Sequence, residues 1–338
     1  MAFAPTLNQL INGQDLSFAE MQALMRQVMS GELTHAQMAA VLVALRIKGE
    51  SVDEIAAAAN VMRELSTKVA TQASPHLIDT CGTGGDGIQT FNVSTVSALV
   101  AAAAGAKVAK HGGRSVSSSC GSADVLEALG VNVNLTPAQV ASAVEEIGIG
   151  FMFAPNHHSA MKHAAPVRRE LGVRTLFNLL GPLTNPANAK RQIMGVFSPA
   201  LTAKLAHVLQ QLGSEHVLVV CGADGMDEIS FTGDSHVAEL KNGQVTEYTI
   251  NPAQFGLPVH QLASIQIDNA EQSKAMILAV LNGELGATRD IVLLNAGAAI
   301  YVAGLADSLA AGIKKAAEVI DQGLALAKLN ALQHYAVS

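Results

Sequence analysis

Tryptophan is absent from the chain, and aromatic residues of all kinds make up only 4% of it. That scarcity removes the case for aromatic platforms on which nucleic-acid bases stack. Positive charge is also short, with 21 Lys and Arg against 28 Asp and Glu, a formal net charge of −7. The basic surplus expected of a nucleic-acid binder is therefore missing. The three cysteines, Cys81, Cys120 and Cys221, are odd in number, far apart and without a Cys-x-x-Cys pair. They read as reduced thiols, with no disulfide frame and no zinc site. No apolar run approaches the length of a membrane span, and the N-terminus lacks a charged region followed by an apolar one. The chain thus reads as soluble and cytoplasmic. What it has in quantity is hydrophobic residues, 49% of 338. That is enough for a large core in two domains or one large α/β domain, and it argues against disorder.

The texture changes once along the chain. Apolar residues at 18, 21, 24, 25 and 28 keep the three-and-four spacing of a helical face, which Gly31 closes. A second helix is predicted from Thr34 through Leu45, and an Ala-rich third from Asp53 to about Leu65, before a polar linker from Ser66 to Pro75. From His76 short strands alternate with helices. Strands are predicted at 77–79, 107–110, 131–134, 151–153, 192–197 and 216–221, with helices at 94–104, 123–129, 137–147 and 199–212. Asn-Gly between alternating runs predicts a hairpin over 237–250, and the tail after Asn269 reads as helical. The fold class is α/β, a mostly parallel central sheet flanked by helices, with a smaller all-helical domain.

Two loops concentrate small and polar residues. "DTCGTGGDGIQTFNVST" follows the strand at 77–79 and leads into a helix. It is not a P-loop, since no lysine follows its glycines, nor a Rossmann fingerprint, since its acid, Asp86, lies inside the loop. Its glycines allow backbone N–H groups to approach an anion, and Asn92, Ser94 and Thr95 can cap the helix or meet a phosphate oxygen. The second loop, "KHGGRSVSSS", carries Lys110, Arg114 and four serines, donors suited to phosphate. Either loop alone could be a solvated turn. Two at neighbouring strand ends favour a ligand with two phosphate groups. Asp227 and Glu228, just past the strand at 216–221, are hard oxygen donors suited to Mg²⁺. The stretch 154–186, rich in proline, histidine and arginine, reads as an excursion out of the sheet and back. No GxSxG elbow or metal-binding histidine spacing appears, and no protein nucleophile or general base is identified.

These motifs, with "GSADVLEALG", "HAAPVRRELGVRTLFNLLGPLTNP", "DGMDEIS" and "ALRIKGES", span nearly the whole chain and resemble the anthranilate phosphoribosyltransferase family of tryptophan biosynthesis. The resemblance implies a homodimer and a fold shared with pyrimidine nucleoside phosphorylases. It implies a helical domain over 1–72, completed by an inserted segment at 163–186, and an α/β domain over 73–162 and 187–338. The substrates would be 5-phosphoribosyl-1-pyrophosphate (PRPP) and anthranilate. PRPP contacts are implied for Gly82, Gly85, Asp86, Thr90, Asn92, Val93, Ser94, Thr95, Lys110, His111, Gly112, Gly113, Arg114, Ser115, Val116, Ser117, Ser118 and Ser122. Gly82, Gly113 and Arg168 would contact anthranilate. Ser94, Asp227 and Glu228 would hold magnesium, two ions per subunit. Two residues depart from the pattern. Cys120 replaces a common Ser, and Gly113 stands where much of the family has Asn. Gly and Asn both tolerate φ > 0, so position 113 is expected to need a left-handed backbone. Two rivals remain: a pyrimidine nucleoside phosphorylase, which would show "KHSTGG" in the first loop, and a non-catalytic nucleic-acid-binding relative, which would show a basic cleft and an eroded acidic pair.

Overall fold

The computed structural model describes residues 3–114 and 119–335. Its four N-terminal helices are α1 (Phe3–Ile11), α2 (Phe18–Ser30), α3 (His35–Lys48) and α4 (Val52–Leu65). Capping boxes at Ser17, Thr34 and Ser51 start α2, α3 and α4, each joining the cap hydroxyl to a Glu or Gln three residues on. Gly31, in the left-handed conformation, stops α2.

The rest is built on a seven-stranded sheet in the order β3-β2-β1-β4-β5-β6-β7. Its strands are β1 (Leu77–Gly82), β2 (Lys107–Gly112), β3 (Ile149–Phe153), β4 (Arg191–Gly195), β5 (His216–Gly222), β6 (Ser235–Lys241) and β7 (Gln244–Ile250). The first five are parallel; β6 and β7 are antiparallel and form the expected hairpin. Asn242 and Gly243 turn it with φ of 53° and 72°, as a type I′ turn requires. Helices α5 (Val93–Ala103), α6 (Ser122–Ala128) and α7 (Pro137–Ile147) follow β1 and β2, and four helices fill most of 270–333.

Strand alternation splits the interior into two cores. Leu218 and Val220 of β5 face α5 and the C-terminal helices. Val217, Val219 and Cys221 face the other way, into a core shared with α2, α3, α4 and the helix Thr202–Gln211. Ala164, Val167, Leu176, Phe177, Leu179, Leu180 and Leu183, from the excursion between β3 and β4, join that second core.

One expected strand is absent. Residues 131–134 form no strand and join no ladder. Val131 and Val133 alternate inward, which gives the strand-like pattern, but they pack under α6 and the neighbouring helices. The place beside β2 is taken by β3. No helix among the described residues is long and apolar enough to cross a membrane.

Candidate active site

Four adjacent parallel strands, β2, β1, β4 and β5, each end in glycine: Gly112, Gly82, Gly195 and Gly222. Ligands in open α/β sheets lie beyond these carboxyl ends. The turn after β5 crosses the ends of its neighbours, and glycine is what lets it pass. A Cβ at Gly82 would collide with the Asp227 carboxylate, and one at Gly195 would overlap the Asp227 backbone carbonyl. Asp227 is thereby laid against the first glycine loop, where the Gly84 N–H donates to its Oδ2 at 2.7 Å. The loop and the acidic pair, 143 residues apart, are one structure.

Three carboxylates meet here. Asp227 and Glu228 keep part of their surface open to the cleft while protein surrounds their other sides. Crowding by protein, together with the neighbouring Asp86, pushes Asp227 up to about 7. Burial and the Asp227 charge also raise Glu228, against the pull of Lys110 and of the Ser94 N–H at the start of α5. Glu228 therefore faces the positive end of a helix. Packing like charges at a helix N-terminus beside a serine hydroxyl gives a set of hard oxygens whose repulsion a divalent cation would relieve, so these residues fit magnesium. No cluster of three or more His, Cys, Asp or Glu among the described residues would hold a metal by itself. A magnesium ion needs only one or two carboxylates when phosphates complete its shell.

Beneath the loop, Lys110 is almost fully buried. Its ammonium donates to the Thr80 carbonyl and, at 3.2 Å, to Ser94 Oγ. Burial lowers its pKa, opposed by Asp79, Cys81 and Glu228. Lys110 is thus a counter-charge below the acidic floor. Asp79, itself raised by burial, accepts from Asn185 Nδ2 at 2.7 Å and from the His111 N–H at 3.1 Å. The His111 ring is buried and shares a hydrogen bond with His158, Nε2 to Nε2 at 3.2 Å. Burial, with the neighbouring histidines, holds both rings neutral, His158 down at about 4.

The other expected site residues sort by exposure and partner. Gly85, Asp86 and Thr90 lie on the first loop, and Asp86 turns it by accepting from the Ile88 N–H at 3.1 Å. Asn92 precedes α5 without capping it through its side chain; its amide instead donates to the Cys120 carbonyl at 3.1 Å and accepts from Ser273 Oγ at 2.7 Å. Val93 is buried, and Thr95, also buried, donates to Ser122 Oγ at 3.1 Å. Ser94 stands between Lys110 and Glu228. Arg114 is exposed and pairs with Asp124 at 2.9 Å and Glu127 at 2.6 Å. Ser115, Val116, Ser117 and Ser118 lie outside the described residues.

Gly113 corrects an expectation. Its φ is not positive, and among the described residues a Cβ there would meet only the Ala154 Cβ, at 4.0 Å. The left-handed glycines are Gly84, Gly85 and Gly87 of the first loop. Arg168 is half-buried over the Phe177 ring at 5.4 Å, and burial lowers its pKa. Among the described residues its guanidinium has no carboxylate partner, leaving its fork free for one.

The sequence reading assigned no role to two residues, Thr83 and Arg174, the second noted only among the arginines of 154–186. The Thr83 hydroxyl is buried on the first loop without a partner among the described residues. Arg174 donates from the inserted segment to the Gly85 carbonyl.

Known proteins with this architecture agree with one another. Residues 4–66 match the helical bundle domain, and residues 74–326 the a/b domain, of a glycosyl transferase family. The chain is 63% identical to the anthranilate phosphoribosyltransferase of Methylobacillus flagellatus over 97% of its length and 96% of that relative's. It is 62% identical to that of Chromobacterium violaceum, over 96% of this chain and 95% of that one. The crystal structure of anthranilate phosphoribosyltransferase from Thermus thermophilus superposes with a TM-score of 0.92 at 44% identity, covering 97% of this chain and 98% of that one. The Saccharomyces cerevisiae enzyme in complex with PRPP and Mg gives 0.89 at 28% identity, covering 98% and 97%.

Proposed function

The chain belongs to the anthranilate phosphoribosyltransferase family, and from that premise we propose that the cleft above β1, β2, β4 and β5 joins PRPP to anthranilate. The bond from ribose C1 to pyrophosphate breaks, the anthranilate amine nitrogen bonds to C1, and that nitrogen gives up one proton to the departing pyrophosphate or to water, giving N-(5-phosphoribosyl)anthranilate and pyrophosphate, a step of tryptophan biosynthesis. The observation that carries this reading is the Gly84 N–H on Asp227, which makes a glycine loop and an acidic pair a single anion-and-cation site.

The residues divide the work by chemistry. Gly82, Gly85, Asp86, Thr90, residues 92–95, residues 110–118 and Ser122 bind PRPP. Ser94, Asp227 and Glu228 would hold magnesium, two ions per subunit. Held by these oxygens, magnesium would supply positive charge to offset the charge that builds on departing pyrophosphate. Lys110 balances the acidic floor from below, and Asp86 fixes the turn of the first loop. Arg168, with no carboxylate of its own, receives that of anthranilate, between Gly82 and Gly113. An aromatic amine is already nucleophilic, so orientation of two bound substrates supplies much of the acceleration. The helical layer, 1–72 with 163–186, forms one wall of the cleft; the α/β part, 73–162 and 187–338, forms the floor. Exposed Ile11 and Ile47, on neighbouring helices α1 and α3, support a homodimer. The enzyme is read as soluble and cytoplasmic.

The test follows loss of anthranilate fluorescence with PRPP and Mg²⁺. Turnover is expected, and Asp227→Ala with Glu228→Ala in one folded protein should remove most of it along with the magnesium response. No turnover of anthranilate, with thymidine or uridine phosphorolysed instead, sinks the reading.

A further inference from the structure

The first glycine loop offers almost no side chains by which to hold its shape. Gly84, Gly85 and Gly87 all have left-handed backbones, with φ of 62°, 76° and 78°. Peptides flanked by glycine rotate at little steric cost, so the direction of each C=O and N–H must be fixed from outside. Two side chains do so. Asp227 accepts from the Gly84 N–H, and Arg174 Nη2 donates to the Gly85 carbonyl.

Arg174 arrives from 89 residues away, in the turn between the helices Ala165–Leu171 and Phe177–Leu180. Its guanidinium lies over the Phe197 ring at 4.1 Å, just past β4. Stacking fixes the guanidinium plane and leaves its edge donors for the loop. No carboxylate among the described residues lies within ion-pair distance, although Glu50 lines the same cavity. The Gly85 oxygen is thus the acceptor this buttressed cation has.

We propose that Arg174 is a positioning residue for PRPP: braced on Phe197, it fixes the Gly85–Asp86 peptide. That peptide is trans and planar, so holding its oxygen toward Arg174 turns the Asp86 N–H the opposite way. The same plane sets where the Asp86 side chain leaves the loop, and with it the contact between Asp86 and Asp227. Arg168 and Arg174, six positions apart, therefore serve different substrates. One has a free fork for anthranilate, and the other is committed to the loop that binds PRPP.

This inference rests on the loop's being the PRPP site, and two measurements separate the two claims. Arg174→Met keeps the apolar stem over Phe197 and removes the donors. Its PRPP KM should rise roughly tenfold, the size of one charge-assisted hydrogen bond, with the anthranilate KM within about twofold. Arg174→Lys should recover part of the loss. Phe197→Leu, which leaves Arg174 in place, should show the same pattern at smaller size. Hydrogen–deuterium exchange reads the clamp without any substrate. Amides of 82–91 should exchange several-fold faster in Arg174→Met, with exchange elsewhere unchanged. If wild-type protein does not consume PRPP and anthranilate, the function reading fails, and loop exchange alone decides the clamp. Unchanged loop exchange in Arg174→Met overturns the clamp. So does a change confined to the anthranilate KM.

Discussion

Gly113 shows how a residue's meaning depends on its φ. Asn and Gly are interchangeable where the backbone is left-handed, but here it is not, and among the described residues the nearest atom to a new Cβ is 4.0 Å off. What Gly113 lacks relative to Asn is therefore an amide, with no backbone freedom gained. Gly113→Ala should fold with a melting temperature close to wild type. Gly113→Asn should lower the anthranilate KM by about two- to tenfold, the worth of one neutral hydrogen bond. A large drop in melting temperature for the Ala variant would restore the strained-loop view. His158 makes a different residue-scale case. Burial, His157 and Lys68 hold its folded pKa near 4, below the unfolded value of about 6.5. In that window the unfolded chain takes up a proton that the folded one refuses, so this ring's contribution is full above pH 6.5 and fades toward pH 4. Asp227, raised to about 7, and the raised Glu228 act with the opposite sign, since their folded forms hold protons longer. A total pH profile would mix the two. The comparison that isolates His158 is His158→Gln, which should lose less stability than wild type between pH 6.5 and 4.5, by on the order of 2 kcal/mol. Parallel melting curves for the two proteins would exclude the ring.

At the scale of elements, two kinds of feature were legible in the sequence and three were not. Thr34 and Gly31 mark helix ends because the backbone groups they satisfy are local. Asn242-Gly243 marks the hairpin because the turn's φ values select those residues. Val131 and Val133 misled because alternation reports one buried side, which a lone extended segment can also have. The contact of Arg174 with the loop was invisible because its acceptor is a backbone carbonyl, which every residue carries, on a loop remote in sequence. Close helix crossings were equally hidden. Gly297, in the helix Ala287–Val302, lets the helix Leu309–Asp321 approach until a Cβ would stand 2.6 Å from the Ile313 backbone nitrogen. A Cβ at Gly312 would collide with the Gly297 carbonyl from the other side. Helix propensity favours Ala over Gly by about 1 kcal/mol. Backbone contact on both sides reverses the sign, and overpacking of this kind costs about 1–3 kcal/mol. Gly297→Ala should therefore lower the urea midpoint while leaving both substrate KM values unchanged, because Gly297 faces the helix Leu309–Asp321 and neither helix carries an expected site residue. A stabilised variant would mean that the helices separate freely.

The whole molecule couples its layers through the sheet. The helical part and the α/β part match separate domains of one glycosyl transferase family, 4–66 and 74–326, which invites the idea that they fold independently. The apolar contacts argue otherwise. Leu24, Leu45 and Ile55 of the N-terminal helices share one core with Phe177 and Leu180 of the inserted segment and with Met194, Val217 and Val219 of the central strands. Removing the N-terminal helices would strip cover from the same strands whose opposite side holds Ile193, Leu218 and Val220 in the other core. Strands whose side chains alternate between two cores cannot lose one of them and keep the other intact. The site sits at the ends of those strands, so its glycine floor depends on both. Calorimetry should therefore show one transition at fixed protein concentration, with an enthalpy on the order of 200 kcal/mol at about 0.7 kcal/mol per residue. An independent helical bundle would instead melt first with an enthalpy of about 45 kcal/mol on the same scale. Two resolved transitions, the smaller near that value and insensitive to substitutions at Met194 or Val217, would show that the shared core does not couple the layers.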